Sequence, residues 1–303
     1  MSRIIMYLSI LLVFVFSIGF ASAQEDTMDF CNSEETPNVV PSIEARAIML
    51  LGSVTTGDPT AAENFISPQG YIQHNLSVPD GKEAFMGLIA AAASDPMTSA
   101  NFHRVFANGD HVVVHTTFNL PLLGGEFTIL DVFRVDEDGK FVEHWDNIQP
   151  VMEPNLSGRT AVDGTVIPTD LDKTQDNCEL VVEFVQKALI DGDDTVAFSD
   201  YINPDMYIQH NPAMADGIDG FTNALATLAE ANQVLIYEDI KLVVAQGSFV
   251  FIASQGLSGD ADSPIPTAYF DLYRVEDNLI VEHWDVISPI PPEDTWQNDN
   301  GKF

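Results

Sequence analysis

The chain has 303 residues, 46 acidic against 12 basic, and a net charge of −34. That acidic excess argues against nucleic acid and anionic membrane as partners, because each is held by clustered lysine and arginine. The length suffices for two ordinary domains, and two cysteines are too few for a disulfide-built scaffold.

Residues 1–23 read as a signal peptide. Arg3 is their only charge, Ile4 to Phe20 is nearly all apolar, and Ala21-Ser22-Ala23 is a small-residue cleavage site. The expectation is an exported protein, periplasmic or secreted, with no membrane attachment after cleavage. Residues 24–41 are polar, with Pro37 and Pro41, and are expected to run extended.

From Ser42, a plausible cap, the apolar residues Ile43, Ala47, Leu50, Leu51 and Val54 recur at helical spacing. Gly57-Asp58-Pro59 ends that helix, and a short second one runs to Phe65. Tyr71-Ile72-Gln73-His74-Asn75 reads as a short strand, and Asp80-Gly81 leads into a helix through Phe85, Leu88, Ile89 and Ala92. Four strands are expected near 100–107, 110–119, 125–136 and 140–149. Helices followed by a strand meander indicate α+β. Residues 151–177, with Pro154, Gly158, Gly164 and Pro168 and no apolar period, read as a linker.

The pattern then restarts. Tyr207-Ile208-Gln209-His210-Asn211 repeats the earlier five residues unchanged, Asp216-Gly217 follows at the same offset, and four more strands are expected near 233–245, 248–257, 266–276 and 279–288. The chain is an internal duplication, with repeat one over 42–150, repeat two over 178–290 and a tail over 291–303. The repeats are expected to pack as an internal pseudo-dimer. Cys31 and Cys178, each ahead of its repeat's main body, either form one disulfide or remain two thiols.

Each repeat closes on a hairpin. Asp131-Val132-Phe133-Arg134-Val135 faces Val142-Glu143-His144-Trp145-Asp146, and Asp271-Leu272-Tyr273-Arg274-Val275 faces Val281-Glu282-His283-Trp284-Asp285. A turn with Asp138-Gly139 as its central pair sets Arg134 opposite Glu143 and Asp131 opposite Asp146. A three-residue turn centred on Asn278 sets Arg274 opposite Glu282 and Asp271 opposite Asp285. Alternation then places each Asp pair on one face with His144 or His283. Two carboxyls so close do not both ionise easily, and a shared proton beside a histidine suits general acid–base work. The candidate catalytic residues are therefore Asp131, Asp146, His144, His74 and His115 in repeat one, and Asp271, Asp285, His283 and His210 in repeat two. Tyr71, Gln73, Trp145, Tyr207, Gln209 and Trp284 are candidates for substrate binding. Repeat one also carries His103 and His111, where alignment gives repeat two Lys241 for His103 and Ala253 for His115, so the chemistry is expected in the first pocket. A metal site is the rival reading of the same His and Asp, but no tight motif such as H-E-x-x-H is present, and neither metal nor cofactor is expected.

The strings Y-I-Q-H-N, D-x-[FY]-R-V and V-E-H-W-D resemble the SnoaL-like, polyketide cyclase-like branch of the NTF2-like superfamily, in particular its tandem proteins described as aldol-condensation enzymes. The resemblance spans nearly all of the chain after residue 23. It implies two tandem cone-shaped α+β barrels, each a curled antiparallel sheet enclosing a pocket with its helices. It also implies a cofactor-free aldol, cyclase, isomerase or dehydratase reaction on a small carbonyl compound, with the acid–base Asp at Asp146 and Asp285. The cyclases have His where this chain has Asp131 and Asp271, which departs from their substrate. A non-catalytic exported protein that binds a small ligand is the alternative.

Overall fold

The computed structural model describes residues 30–31, 35–192 and 198–303. The signal-peptide expectation over 1–23 lies outside the described residues. In repeat one, α1 (Ile43–Thr56), α2 (Thr60–Phe65), β1 (Ile72–Gln73) and α3 (Lys82–Ala92) precede the strands β2 (Ser99–Asn108), β3 (His111–Leu120), β4 (Gly125–Val135) and β5 (Phe141–Pro150). Repeat two has α4 (Thr174–Phe184), continued by a π-helical turn over Val185–Ile190, then β6 (Ile208–Gln209) and α5 (Gly217–Glu230). Its strands are β7 (Gln233–Gln246), β8 (Phe249–Asp260), β9 (Ile265–Glu276) and β10 (Leu279–Pro289). Both sheets have one order, β1-β5-β4-β3-β2 and β6-β10-β9-β8-β7, with the two-residue strand parallel to the last one. Among the described residues no helix is long and apolar enough to cross a membrane.

Each sheet has two apolar faces. Leu50 of α1 and Phe85 and Ile89 of α3 pack with Val112, Val114 and Phe133 of the first sheet, and Val181 and Phe184 of α4 pack with Val250, Ile252 and Tyr273 of the second. The opposite faces pack against each other: Phe106, Val113, Val132 and Trp145 of repeat one meet Phe249, Phe251, Phe270 and Trp284 of repeat two in a third core. Alternation along the strands thus feeds one helix-covered interior per repeat and one shared back-to-back interface.

The register at the hairpins is the expected one, Arg134 with Glu143, Asp131 with Asp146, Arg274 with Glu282 and Asp271 with Asp285. The turns differ from expectation. In repeat one Asp136 N–H donates to Lys140 O, which leaves three residues at the tip, with Gly139 at φ +68°. In repeat two the tip is the pair Asp277-Asn278, at φ +51° and +60°, the left-handed conformations of a two-residue hairpin. A bulge in each hairpin, at Arg134/Val135 and at Ile280/Glu282, restores the offset.

The stretch 151–177 is not a free linker. Its last four residues open α4, and the rest is strapped onto repeat two: Asn155 Nδ2 donates to Gln209 O at 2.7 Å, and Thr160 O meets His210 Nδ1 at 2.8 Å. The tail makes the reciprocal crossing. Asn298 Nδ2 donates to Asn75 O and Val78 O at 2.9 Å each, and Gly301 O meets His74 Nδ1 at 3.0 Å. Each repeat's outgoing chain therefore closes over the other's Y-I-Q-H-N strand, where it satisfies backbone groups left open by so short a strand.

Cys31 and Cys178 are disulfide-bonded, which resolves the open choice and ties the N-terminal segment to α4. The bond closes 147 residues of chain, and in the chain-entropy picture such a loop is worth about 5 kcal/mol. Cys178→Ser, or reduction before a calorimetric scan, should lower the melting temperature by several degrees or more. An unchanged scan with and without reductant would show that the bond contributes nothing.

Candidate active site

The interior face of each hairpin carries three ionisable groups. In repeat two, His283 and Asp285 lie two apart on β10, and Asp271 sits opposite Asp285 on β9, so alternation and register together bring them to one spot. All three are buried, as are Asp131, His144 and Asp146 in repeat one.

The histidine is held at both nitrogens. His283 Nδ1 is 3.0 Å from Gln209 Oε1, and Nε2 is 2.9 Å from Asp271 Oδ1. The Gln209 amide has only one workable orientation. Its Oε1 accepts the Asn211 N–H at 2.9 Å, and its Nε2 donates to Tyr207 Oη at 3.2 Å. His283 Nδ1 must then be a donor, so a second proton lies between Nε2 and Asp271, on the ring or on the carboxyl. Repeat one is built alike: Gln73 Oε1 accepts from Asn75 N–H at 2.8 Å and faces His144 Nδ1 at 2.9 Å, while His144 Nε2 is 3.0 Å from Asp131.

Each repeat thus holds a proton between its Asp and His, beside the facing carboxyl that the register brings up. Asp285 stands beside that pair. Its Oδ2 accepts Asn211 Nδ2 at 2.7 Å, and its Oδ1 has no partner among the described residues. Burial raises the Asp285 carboxyl from 3.8 to about 6, with the Asp271 charge adding to the rise and His283 opposing it. Burial lowers the His283 imidazole, but the hydrogen bond to Asp271 and the charges of Asp285 and Asp271 outweigh it and hold the ring above its ordinary value. In repeat one, burial raises Asp131 against the opposing hydrogen bond and charge of His144.

Several expected site residues lie elsewhere. His74 and His210 follow Gln73 and Gln209 on the short strands, so they point to the opposite face of the sheet. There they stack on Trp145 and Trp284, with ring centroids 4.9 and 4.8 Å apart, and bond Glu143 and Glu282. Burial works against the Glu282 charge, yet hydrogen bonds from His210, Arg274 and Thr165 hold its carboxyl down at about 2. His74, His210, Trp145 and Trp284 are thus interface residues, remote from the carboxyl pairs. His115 is another. It meets Arg104 at 3.1 Å, and burial with the Arg104 charge keeps it well below the usual histidine range. His103 bonds Thr117 on that same face, and His111 tilts against Trp145. The first pocket is therefore not the richer one, because its extra histidines face the other repeat.

What repeat one gains is Lys302. The tail places its ammonium on Asp146 O and 3.7 Å from Asp146 Oδ1. Burial lowers the amine, and Asp146 and Asp131 oppose the shift. In repeat two the corresponding backbone oxygen, Asp285 O, receives the neutral Gln149 Nε2 at 3.3 Å.

Repeat two has a cavity of about 140 Å³ lined in part by His283 and Asp285. Phe184, Phe198, Tyr207, Phe221, Leu225 and Tyr273 are among its walls. Tyr237 completes it, and its hydroxyl donates to Asp271 Oδ1 at 3.2 Å. Tyr237, the two Asn residues and Lys302 were not among the residues expected from sequence. The asparagines sat in the repeated five-residue string, a signal that was available.

The same three groups in each repeat, Asp131, His144 and Asp146 or Asp271, His283 and Asp285, bring potential metal-ligand atoms within 4.8 Å of one another. In repeat two both histidine nitrogens are already bonded, so an ion would have to displace Asp271 or Gln209 from the ring.

Residues 49–144 match the model of the SnoaL-like domain. The first repeat is a SnoaL-like domain. Both repeats have the same α+β architecture, helices followed by a five-stranded sheet of one order. Solved structures similar to the chain include TsrD from Streptomyces laurentii, at 25% identity over 35% of this chain and 89% of that one, TM-score 0.30. A putative polyketide cyclase from Bacillus cereus ATCC 10987 gives 19% identity over 35% and 74%, TM-score 0.32. A steroid delta-isomerase from Pseudomonas aeruginosa gives 17% over 38% and 82%, TM-score 0.29. No curated protein matches the chain.

An acid whose carboxyl is raised by folding binds a proton more tightly folded than unfolded, so its contribution to stability falls as pH rises from about 4 to 6. Asp285→Asn should therefore be more stable than the parent above pH 6, by up to about 3 kcal/mol. The gain should disappear at pH 4. Urea melts at pH 4 and pH 7.5 measure it, and a variant less stable at the higher pH would contradict the assignment.

Proposed function

We propose that the protein is an exported acid–base enzyme that acts, without a cofactor, on a small carbonyl compound in the repeat-two cavity. One observation carries this reading. Asp285, whose Oδ1 is buried without a partner among the described residues, lines an aromatic-walled cavity beside a histidine–carboxyl pair that holds a proton. The SnoaL-like match and the hydrophobic segment at residues 1–23 support the class and the export.

A base that titrates at about 6 is mostly ionised at pH 7 yet stronger than an ordinary carboxylate, which suits removal of a proton α to a carbonyl. Asp285 takes that proton, and the C–H electrons move into the enolate. Tyr207 Oη accepts from Gln209 Nε2, so its own hydrogen is left to donate to the enolate oxygen. Return of the proton from Asp285 to a different carbon of a conjugated enolate gives isomerisation; attack of the enolate carbon on a second carbonyl puts that carbonyl's π electrons on its oxygen, which takes the proton back from Asp285 and completes aldol closure. His283, fixed by Gln209 and Asp271, limits the negative charge that accumulates at the floor.

Deuterium exchange at the α-carbon of small ketones, followed by NMR in heavy water, tests the first step without knowledge of the physiological substrate. Asp285→Asn should slow exchange about 10²- to 10⁴-fold, and Asp146→Asn should leave most of it. Ketones that bind the wild type without any catalysed exchange would make the protein a ligand-binding one instead.

A further inference from the structure

We propose that the repeat-two cavity takes an uncharged carbonyl compound about one ring in size and rejects fused polycyclic ones. The carbonyl part deepens the acid–base reading and rests on it, whereas the size and charge limits do not. A cavity of about 140 Å³ is close to the roughly 150 Å³ apolar cavity that accommodates a single benzene. Packed protein interiors have little slack, so a second fused ring requires the walls to move.

The walls are set by a difference between the repeats. Across β2 and β3, Ala100 pairs with Phe118, and the Phe118 side chain is buried in the repeat-one core. Across β7 and β8 the sizes are reversed, and Tyr237 pairs with Gly256. A Cβ at Gly256 would stand 1.8 Å from Ile236 O and 3.0 Å from Tyr269, so this position admits glycine alone. The Tyr237 ring lies on Tyr269, centroids 4.2 Å apart, and its hydroxyl is anchored on Asp271. A side chain fixed at ring and tip is a rigid wall, and it limits the length of whatever reaches Asp285. Tyr237 is thereby a specificity-determining residue.

The lining also sets the charge. Among the described residues it contains no lysine or arginine. A ligand carboxylate would lose its hydration and then meet Asp285 and, behind it, Asp271, with no cation but the proton held at His283 and one neutral donor, the Tyr207 hydroxyl, in compensation. The remaining wall is apolar and aromatic and favours the edge and face of a ring.

Calorimetric titration of the intact protein with cyclohex-2-enone, 1-tetralone, a tetracyclic steroid enone and benzoate tests the proposal. Saturable binding is expected for cyclohexenone, with the steroid and benzoate showing none. Leu225→Ala, which trims a half-buried wall residue and leaves Asp271, His283 and Asp285 intact, should improve 1-tetralone relative to cyclohexenone by about tenfold. Cyclohexenone binding without α-proton exchange would support the ring-size limit while removing the acid–base reading. Competition between the steroid and cyclohexenone at similar affinity, tight benzoate binding, or no binding of any single-ring ketone would overturn the proposal.

Discussion

The site depends on an amide that can face only one way. Gln209 is committed as an acceptor at Oε1 by the backbone N–H of Asn211, two residues further along the chain and just past the short strand. His283 must therefore donate from Nδ1, and a further proton is trapped between Nε2 and Asp271. The string Tyr-Ile-Gln-His-Asn performs this in both repeats and divides its residues between the faces. Gln reaches into the interior, His stacks on the interface tryptophan, and Asn supports the second carboxylate. A two-residue strand can do this because the other repeat's outgoing chain straps it down.

Duplication copied the machinery, and later substitutions made the copies unequal. Repeat one sets an ammonium against Asp146 and places Phe118 in its interior. Repeat two sets a neutral amide on the matching backbone oxygen and replaces the large residue by Gly256, with Tyr237 across from it. The first arrangement compensates a buried charge. The second leaves Asp285 raised toward neutrality beside an open space, the costlier arrangement for stability and the more useful for proton transfer.

The fold was legible because its signals are periodic: apolar spacing for the helices, alternation for the strands and two identical strings for the duplication. The register at the carboxyls follows from the expected turns although both turns differ in length from expectation, because a bulge in each hairpin absorbs the difference. Adjacent strand residues face opposite ways, so Gln73 and His74 could not both serve one site, and that conflict was already visible in the sequence. The straps carry no period and bond through backbone carbonyls, which leaves no pattern to read. The cavity depends on which of two cross-strand partners is large, and β7 contains two bulges that obscure this pairing in the sequence.

In repeat two, Asp271 and His283 hold one proton between them while Asp285 titrates separately at about 6. Carbon-13 and nitrogen-15 NMR of these side chains from pH 4 to 9 measures it directly. The structure predicts that His283 Nδ1 keeps its hydrogen throughout and that the Asp285 carboxyl changes shift with a midpoint near 6. Two carboxyls already ionised at pH 4, beside a histidine that carries its hydrogen on Nε2, would contradict it.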